Sequence, residues 1–438
     1  MRVESTARVS EHRKQHEGVN LMVREQSRSE KNWFEVGTKA IDNSRKELVQ
    51  IALDLHDHPE INYQEHYAAK LLADTLERKG FVVERGVGGV ETAFRATLEG
   101  GAGKGPTVAV LAEYDALPEI GHGCGHNLIA MTAVGAGLGV QAALPTLPGR
   151  LMVIGTPAEE GGGGKVRLLK AGVFDDVHVA LKSHPGSNRT SIPLDVPLEE
   201  NWRLAMVGYR YMFYGKAAHA ATMPQEGINA LNAVIHLFTG IDALRQHLRD
   251  DVRIHGIITH GGKAPNVVPE FAAANFMLRS RDHLYLRDEV VPKVAQIAEG
   301  AAKMTGARVE IEPLYPFYEN VRPNNLLAKL TLANARDVGL EVDDKALSVR
   351  RSTASTDSGN VSQVLPFCNI SFAISKTPVA GHSLALTEAA RSEFALDVAL
   401  DVAKVLALTT CDLLSNGEFV DAARQEFEER GHLSRPVS

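Results

Sequence analysis

Hydrophobic spacing changes character twice along the chain. From Lys39 to Glu84 apolar residues recur at helical intervals, first in KELVQIALDLHDHPE and then in HYAAKLLADTLERKG, where Ala68, Leu71, Leu72 and Leu76 share a face. Gly80 closes the second helix, and FVVERG is predicted as a strand. RATLEG and PTVAVLAE, joined by the glycine-rich GAGKG, predict a hairpin or a pair of neighbouring strands. Buried strands are then expected at the end of PTVAVLAE, in LMVIGT and in VHVALKSHPG, which ends near His184. Between them lie a buried helix, LIAMTAVGAGLGVQAAL, and a short one, KVRLLKAG, closed by Gly172. Strands alternating with helices predict an α/β fold whose parallel strands, linked by right-handed crossovers, deliver their loops to one edge.

The first change comes near Pro193. NWRLAMVGYRYMFYG alternates and is aromatic, as an antiparallel strand with one exposed face would be. A helix (INALNAVIHLFTGIDALRQHL), two strands (DVRIHGIITHGG, PEFAAANFMLRS), a helix (YLRDEVVPKVAQIAEGAAKM) and a strand (ARVEIEPLY) follow, an order that predicts an inserted two-layer α+β domain. From about Asn324 the chain must return to the first domain, with helices in NNLLAKLTLANARDVG and SEFALDVALDVAKVLALTTCDLL and a strand in CNISFAIS. The expected division is a polar N-terminal arm at 1–37, a discontinuous catalytic domain at 38–197 and 310–438, and an inserted domain at 198–309. The charged tail NGEFVDAARQEFEERGHLSRPVS is expected to lie at the periphery.

Composition narrows the function classes. At 438 residues, 44% hydrophobic and 23% charged, the chain has enough material for two globular domains. A formal net charge of -7 argues against a nucleic-acid partner held through its phosphates. No apolar stretch is expected to reach the roughly 18 residues of a membrane span, and the first 30 residues are polar without a signal-like apolar segment, so a cytoplasmic location is expected. Cysteines at 124, 368 and 411 are too few and too scattered for a disulfide framework.

Candidate chemistry collects at the predicted strand ends. The stretch TVAVLAEYDALPEIGHGCGHN carries Asp115, Cys124 and His126 on a loop bent by Pro118 and three glycines; Glu159 and Glu160 follow the next strand, and His184 ends the third. A thiolate, imidazoles and carboxylates together suit zinc or a neighbouring transition metal better than magnesium or calcium. Adjacent glutamates can divide labour, one binding metal and the other moving a proton, as metal-assisted hydrolysis requires. Each residue also has an ordinary reading: Cys124 as a small buried side chain, Asp115 as a cap, the glutamate pair as a solvated turn, His184 as a strand end. EEGGGGKV departs from a phosphate loop in its glycine spacing and in having Val166 where Ser or Thr belongs. A Cys124–His126 thiol nucleophile is chemically sound but leaves the glutamates and His184 without a role.

EYDALPEIGHGCGHN, GTPAEEGGGGK, DDVHVALKSHPG, GKAAHAATMPQEGINAL, GGKAPNVVPE and STASTDSGNVSQVLP, in this order, resemble the amidohydrolase branch of the zinc-dependent M20 peptidases over about residues 38–425. The resemblance implies a zinc-peptidase-like α/β catalytic domain with a mixed, largely parallel sheet, plus an inserted dimerisation domain that makes a homodimer. It implies two divalent ions per subunit, zinc or manganese foremost and cobalt or nickel as substitutes. Cys124 would bridge them, with His126, Glu160, His184 and the late His382 as further ligands and Glu159 as general base. Asp115 would be the buried acid that orients a metal-site histidine or holds the loop, and counts with Glu159 and His219 among the catalytic group. His219 would polarise the scissile carbonyl across the dimer, Asn266 would contact substrate, and Arg279 is a candidate for the substrate carboxylate. The implied substrate is a small N-acyl amino acid or dipeptide-like conjugate, with a non-catalytic metal-binding subunit of the same fold as the alternative. Only Pro118, Glu119 and Ile120 separate EYDAL from GHGCGH, a short loop expected to reshape the acyl pocket.

Overall fold

The computed structural model describes residues 33–194, 196, 203–343 and 354–429. Two sheets organise them. The larger is six-stranded and contains β1 (Val82–Arg85), β2 (Phe94–Glu99), β3 (Thr107–Ala112), β4 (Arg150–Gly155), β5 (Val179–Pro185) and β10 (Phe367–Phe372), in the order β1-β2-β4-β3-β5-β10. Strands β4, β3, β5 and β10 run parallel, and β2 and β1 add an antiparallel edge. Every residue of β3 is buried, which explains its unbroken apolar run: helices cover both faces of a parallel sheet.

The expected hairpin between RATLEG and PTVAVLAE does not form. β4 lies between the two strands, pairing antiparallel with β2 and parallel with β3. A glycine-rich connection marks a turn without saying whether its two arms meet.

The helix His126–Ala143 packs against β3, β4 and β5, and the long helix Glu393–Ser415 lies across it. By length and composition it could cross a membrane, which corrects the expectation that no such stretch exists; yet all its residues except Gln141 and Ala142 are buried within the domain. Two terminal expectations also change. The helix Trp33–Asn43 starts inside the supposed arm and buries Trp33 and Ile41 against the core, so the folded chain reaches back at least to residue 33; residues 1–32 lie outside the described residues. The supposedly peripheral tail contains the helix Gly417–Glu429, which buries Phe419, Val420 and Ala423. Its Glu426 carboxylate accepts from the backbone nitrogens of Asn325 and Leu326, so it also caps the helix Asn325–Val338. An amphipathic helix with a narrow apolar stripe reads as charged when only composition is counted.

The smaller sheet is four-stranded and antiparallel, ordered β7-β8-β6-β9, from β6 (Ala205–Tyr214), β7 (Arg253–His260), β8 (Phe271–Ser280) and β9 (Arg308–Pro313). Helices Ala230–Arg245 and Val291–Thr305 pack together and close its core with Val234, Leu237, Val294 and Phe276. A division at 309/310 cuts through β9, whose six residues pair with β6 throughout; the strand belongs wholly to the smaller sheet. The other division, at 197/198, falls outside the described residues.

Candidate metal centre

Strands β3, β4 and β5 run parallel and release their following residues at one edge of the sheet. After β3 the chain places Glu113 and Asp115, two residues apart, pointing the same way; both are buried. It then turns back at Leu117–Gly121 and enters the helix His126–Ala143 through Gly125, whose φ of +71° is left-handed and whose Cβ would strike the Pro185 ring at 2.9 Å. The loop after β4 is equally constrained. Ala158 adopts φ +58°, and a Cβ on Gly164 would lie 1.8 Å from the Pro157 carbonyl oxygen. These loops carry Cys124, His126, Glu159 and Glu160 to the end of β5, where His184 stands.

Asp115 joins two of the donors. Its Oδ1 lies 3.0 Å from Nδ1 of His126, and its Oδ2 accepts from the Glu160 backbone nitrogen at 2.9 Å. The His126 proton on Nδ1 leaves Nε2, 3.8 Å from Oε1 of Glu160, as a lone-pair donor. His184 is arranged alike: Nδ1 is 2.7 Å from the Pro185 carbonyl oxygen, and Nε2 lies 3.6 Å from the Cys124 sulfur. His382 arrives from the returning chain with a left-handed φ of +54° and its backbone nitrogen donating to Gly123 O at 3.0 Å, and its Nε2 stands 3.6 Å from Oε1 of Glu160.

The donor atoms form two sets that share one sulfur. Those of Cys124, His126 and His184 lie within 4.8 Å of one another, and so do those of Cys124, Glu160 and His382. Glu159 belongs to a further group with His126 and Glu160. The five expected ligands and the expected base therefore converge, with Cys124 central.

Two observations fit a metal pair. Nε2 of His126 and Oε1 of Glu160 are buried without a hydrogen-bond partner, a cost that a bound cation removes. Burial also pushes the Cys124 thiol up to about 12 and, with Glu159 beside it, the Glu160 carboxyl up to about 8. Donors held this dry ionise when a cation replaces their protons.

Sequence reasoning missed what lies beneath. Glu113 is wholly buried; burial opposes its charge, but Lys165 and Lys182 outweigh that and hold its carboxyl well below the usual range. The Lys165 ammonium stands 2.6 Å from Glu113 Oε1 and 2.7 Å from Asp357 Oδ1, and Lys182 pairs with the same Glu113 oxygen. Lys165 is the lysine of the rejected phosphate-loop pattern; its charge is spent on internal carboxylates. The alternation Glu113-Tyr114-Asp115 was the available signal for the first acid. Glu65 is a second: its Oε1 accepts from the Ala158 backbone nitrogen at 2.8 Å and so holds the turn that precedes Glu159.

The inserted domain brings His219 and Asn266 together: residue 219 bridges residue 267, and the Ala220 backbone nitrogen donates to Asn266 O at 3.0 Å. Among the described residues no hydrogen bond or ion pair joins His219 to the metal-site side chains of its own chain. Arg279, on β8, donates to Ser355 Oγ at 3.1 Å and so spans from the smaller sheet to the returning chain.

Comparison with known proteins agrees with this architecture. The chain is 36% identical over 399 residues to the Xaa-Arg dipeptidase of Mus musculus, covering 89% of this chain and 90% of that one. A family model described as a peptidase dimerisation domain of the M20 type matches residues 203–305, the segment that holds the smaller sheet's β6, β7 and β8 and both its helices. The chain belongs to the M20 peptidase family. A second relative, one of the p-aminobenzoyl-glutamate hydrolase polypeptides of Escherichia coli, is 38% identical over 291 residues, which span 62% of this chain and 58% of that one. A dinuclear metal-binding M20 peptidase of Bacillus subtilis superposes with a TM-score of 0.64 at 20% identity, over 84% of this chain and 99% of that structure, and shows the same fold. As an M20 protein the chain is a metal-binding hydrolase with a dimerisation domain.

Proposed function

We propose that the protein hydrolyses the amide bond of small N-acyl amino acids or dipeptide-like conjugates at a dinuclear centre, with Glu159 as general base. The observation that supports it most is the pair of donor sets sharing Cys124, with the Glu159 carboxylate beside them and not consumed by either. Zinc is the ion this set favours, because it mixes one thiolate with imidazoles and a carboxylate, and manganese is the second ion that the family resemblance implies. Bound ions would polarise the amide carbonyl and bring the pKa of water from about 15.7 toward about 7.

The chain's own residues do the rest. Glu159 takes a proton from the attacking water as the C–O bond forms and hands it to the amine nitrogen as the C–N bond breaks. Asp115 keeps His126 oriented, and the Tyr318 hydroxyl, donating to Glu159 O at 2.8 Å, fixes the backbone that carries the base. His219 of the partner subunit is the donor to the carbonyl oxygen, which makes the homodimer part of the active site.

The test is a panel of N-acyl amino acids and dipeptides run with defined metals. The name of the mouse relative puts dipeptides ending in arginine at the head of that panel. Glu159→Gln should retain its metal and lose roughly 10²–10⁴-fold in kcat. Full turnover by that variant removes Glu159 from the role, and stoichiometric metal with no hydrolysis across the panel would favour a non-catalytic subunit.

A further inference from the structure

The turn that carries His219 determines which ring nitrogen holds the proton. Nδ1 lies 3.2 Å from the backbone nitrogen of Ala221, 3.1 Å from that of Thr222 and 3.1 Å from the Thr222 hydroxyl oxygen. Backbone N–H groups only donate, so Nδ1 must accept, and the Thr222 hydroxyl, able to act either way, donates as well. A neutral imidazole that accepts at Nδ1 carries its proton on Nε2. The turn is itself fastened: the Met223 nitrogen donates to His219 O at 3.1 Å, and the Val268 nitrogen to Ala218 O at 2.9 Å. A side chain that is exposed in this protomer is thus held by its own loop in one tautomer.

We propose that His219 works as a neutral Nε2–H donor, locked in that form by the 219–222 turn, with Thr222 as the positioning residue that completes the lock. The inference rests on the reading that His219 meets the scissile carbonyl. It changes what the ring contributes. An imidazolium would need a proton on Nδ1, facing two N–H groups that cannot turn away. The ring therefore stabilises developing negative charge by a hydrogen bond and surrenders no proton, and the leaving amine receives its proton from Glu159.

The experiment uses the full-length, metal-loaded dimer labelled with nitrogen-15 histidine. The His219 ring is assigned by its disappearance in His219→Ala, and imidazole spectra are recorded at the pH of turnover. A bare Nδ1 and a protonated Nε2 are expected; a protonated Nδ1, in the other tautomer or in the imidazolium, overturns the proposal. In kinetics, His219→Gln, whose amide can present an N–H near the place of Nε2, is expected to retain about tenfold more kcat than His219→Ala. Equal losses overturn the donor role. Thr222→Val should lower kcat by about threefold to tenfold at unchanged metal content and unchanged KM while Nδ1 stays bare, because the two backbone donors remain, with Thr222→Ser restoring kcat. Parent kcat in Thr222→Val would remove Thr222 from the assignment. Because the spectrum needs no substrate, it decides the tautomer even if no amide in the panel is cleaved, so the two readings fail separately.

Discussion

Asp115 and His126 meet side chain to side chain, Oδ1 to Nδ1 at 3.0 Å, in a position where neither is reached by solvent. The other Asp115 oxygen holds the Glu160 backbone, so one carboxylate braces a member of each donor set. Burial works against its charge, but the His126 ring beside it keeps the carboxyl below its usual value. Asp115→Asn keeps the shape but offers only one accepting oxygen to two N–H donors. Its metal affinity should fall by about 10–100-fold, read by competition against a chromogenic chelator. Parent affinity in that variant would mean His126 is oriented by packing alone.

The sharing of Cys124 between the two donor sets predicts an unequal pattern of metal loss. His184→Ala removes a member of one set and should leave close to one ion per subunit; His382→Ala should do the same for the other. Cys124→Ala weakens both and should leave the least metal after dialysis against a mild chelator. Elemental analysis of the three variants checks this, and equal loss from all three would argue against a bridging sulfur. Complete chelation should abolish turnover in the parent, with zinc, manganese or cobalt restoring it.

The strands that position the site were legible because a parallel sheet buried on both faces requires uninterrupted apolar runs, as in β3, and because loops at its carboxyl edge converge whatever their sequence. The pairing of β2 was not legible: its partner β4 lies 50 or more residues on, and nothing in RATLEG distinguishes that partner from the nearer β3. Asp115 and four of the five donors lie in recognisable motifs and His382 lies outside them, whereas Lys165, Lys182 and Asp357 lie inside GTPAEEGGGGK, DDVHVALKSHPG and STASTDSGNVSQVLP with nothing there to mark them as buried ion partners. A buried lysine looks like a surface lysine until the carboxylates that neutralise it, here one on β3's end and one beyond residue 354, are brought to it by the fold. His219 was legible through its motif, but the role of Thr222 was not, since it depends on a turn that returns the hydroxyl to the ring.

That buried network predicts a large stability effect directly beneath the candidate site, where carboxylate oxygens of Glu113 and Asp357 lie within 4.8 Å of one of Glu159. Lys165 has no exposed surface; burial opposes its charge, but the carboxylates of Asp357 and Glu113 outweigh that and hold the ammonium protonated. Lys165→Met fits the space but strips both acids of a partner. Removing one member of a buried ion pair costs about 3–5 kcal/mol, and the denaturation midpoint should fall accordingly. Lys165→Met combined with Asp357→Asn should recover part of the loss, since one of the stranded charges is gone. A double variant no more stable than the single one would show that the two groups are not coupled.

Glu65 supplies a pH dependence whose sign can be derived. The side chain is fully buried, accepting from the Ala158 nitrogen at 2.8 Å and from the Thr92 hydroxyl at 3.0 Å. Burial, then the charge of Asp115, pushes its carboxyl up from 4.5 to about 7. Between those two values the unfolded chain has released the proton that the folded chain still binds. The stabilisation is therefore fully present below pH 4.5 and is lost as pH rises through about 7. Glu65→Gln keeps an accepting oxygen for Ala158 and titrates nothing, so its stability relative to the parent should climb across that interval. At about 1.4 kcal/mol per pH unit the relative gain reaches about 3 kcal/mol by pH 8. Urea unfolding of both proteins at pH 5, 6, 7 and 8 measures it: a gap that widens toward alkaline pH is the expected result, and two parallel curves would mean that Glu65 titrates in the folded protein as it does in the unfolded chain.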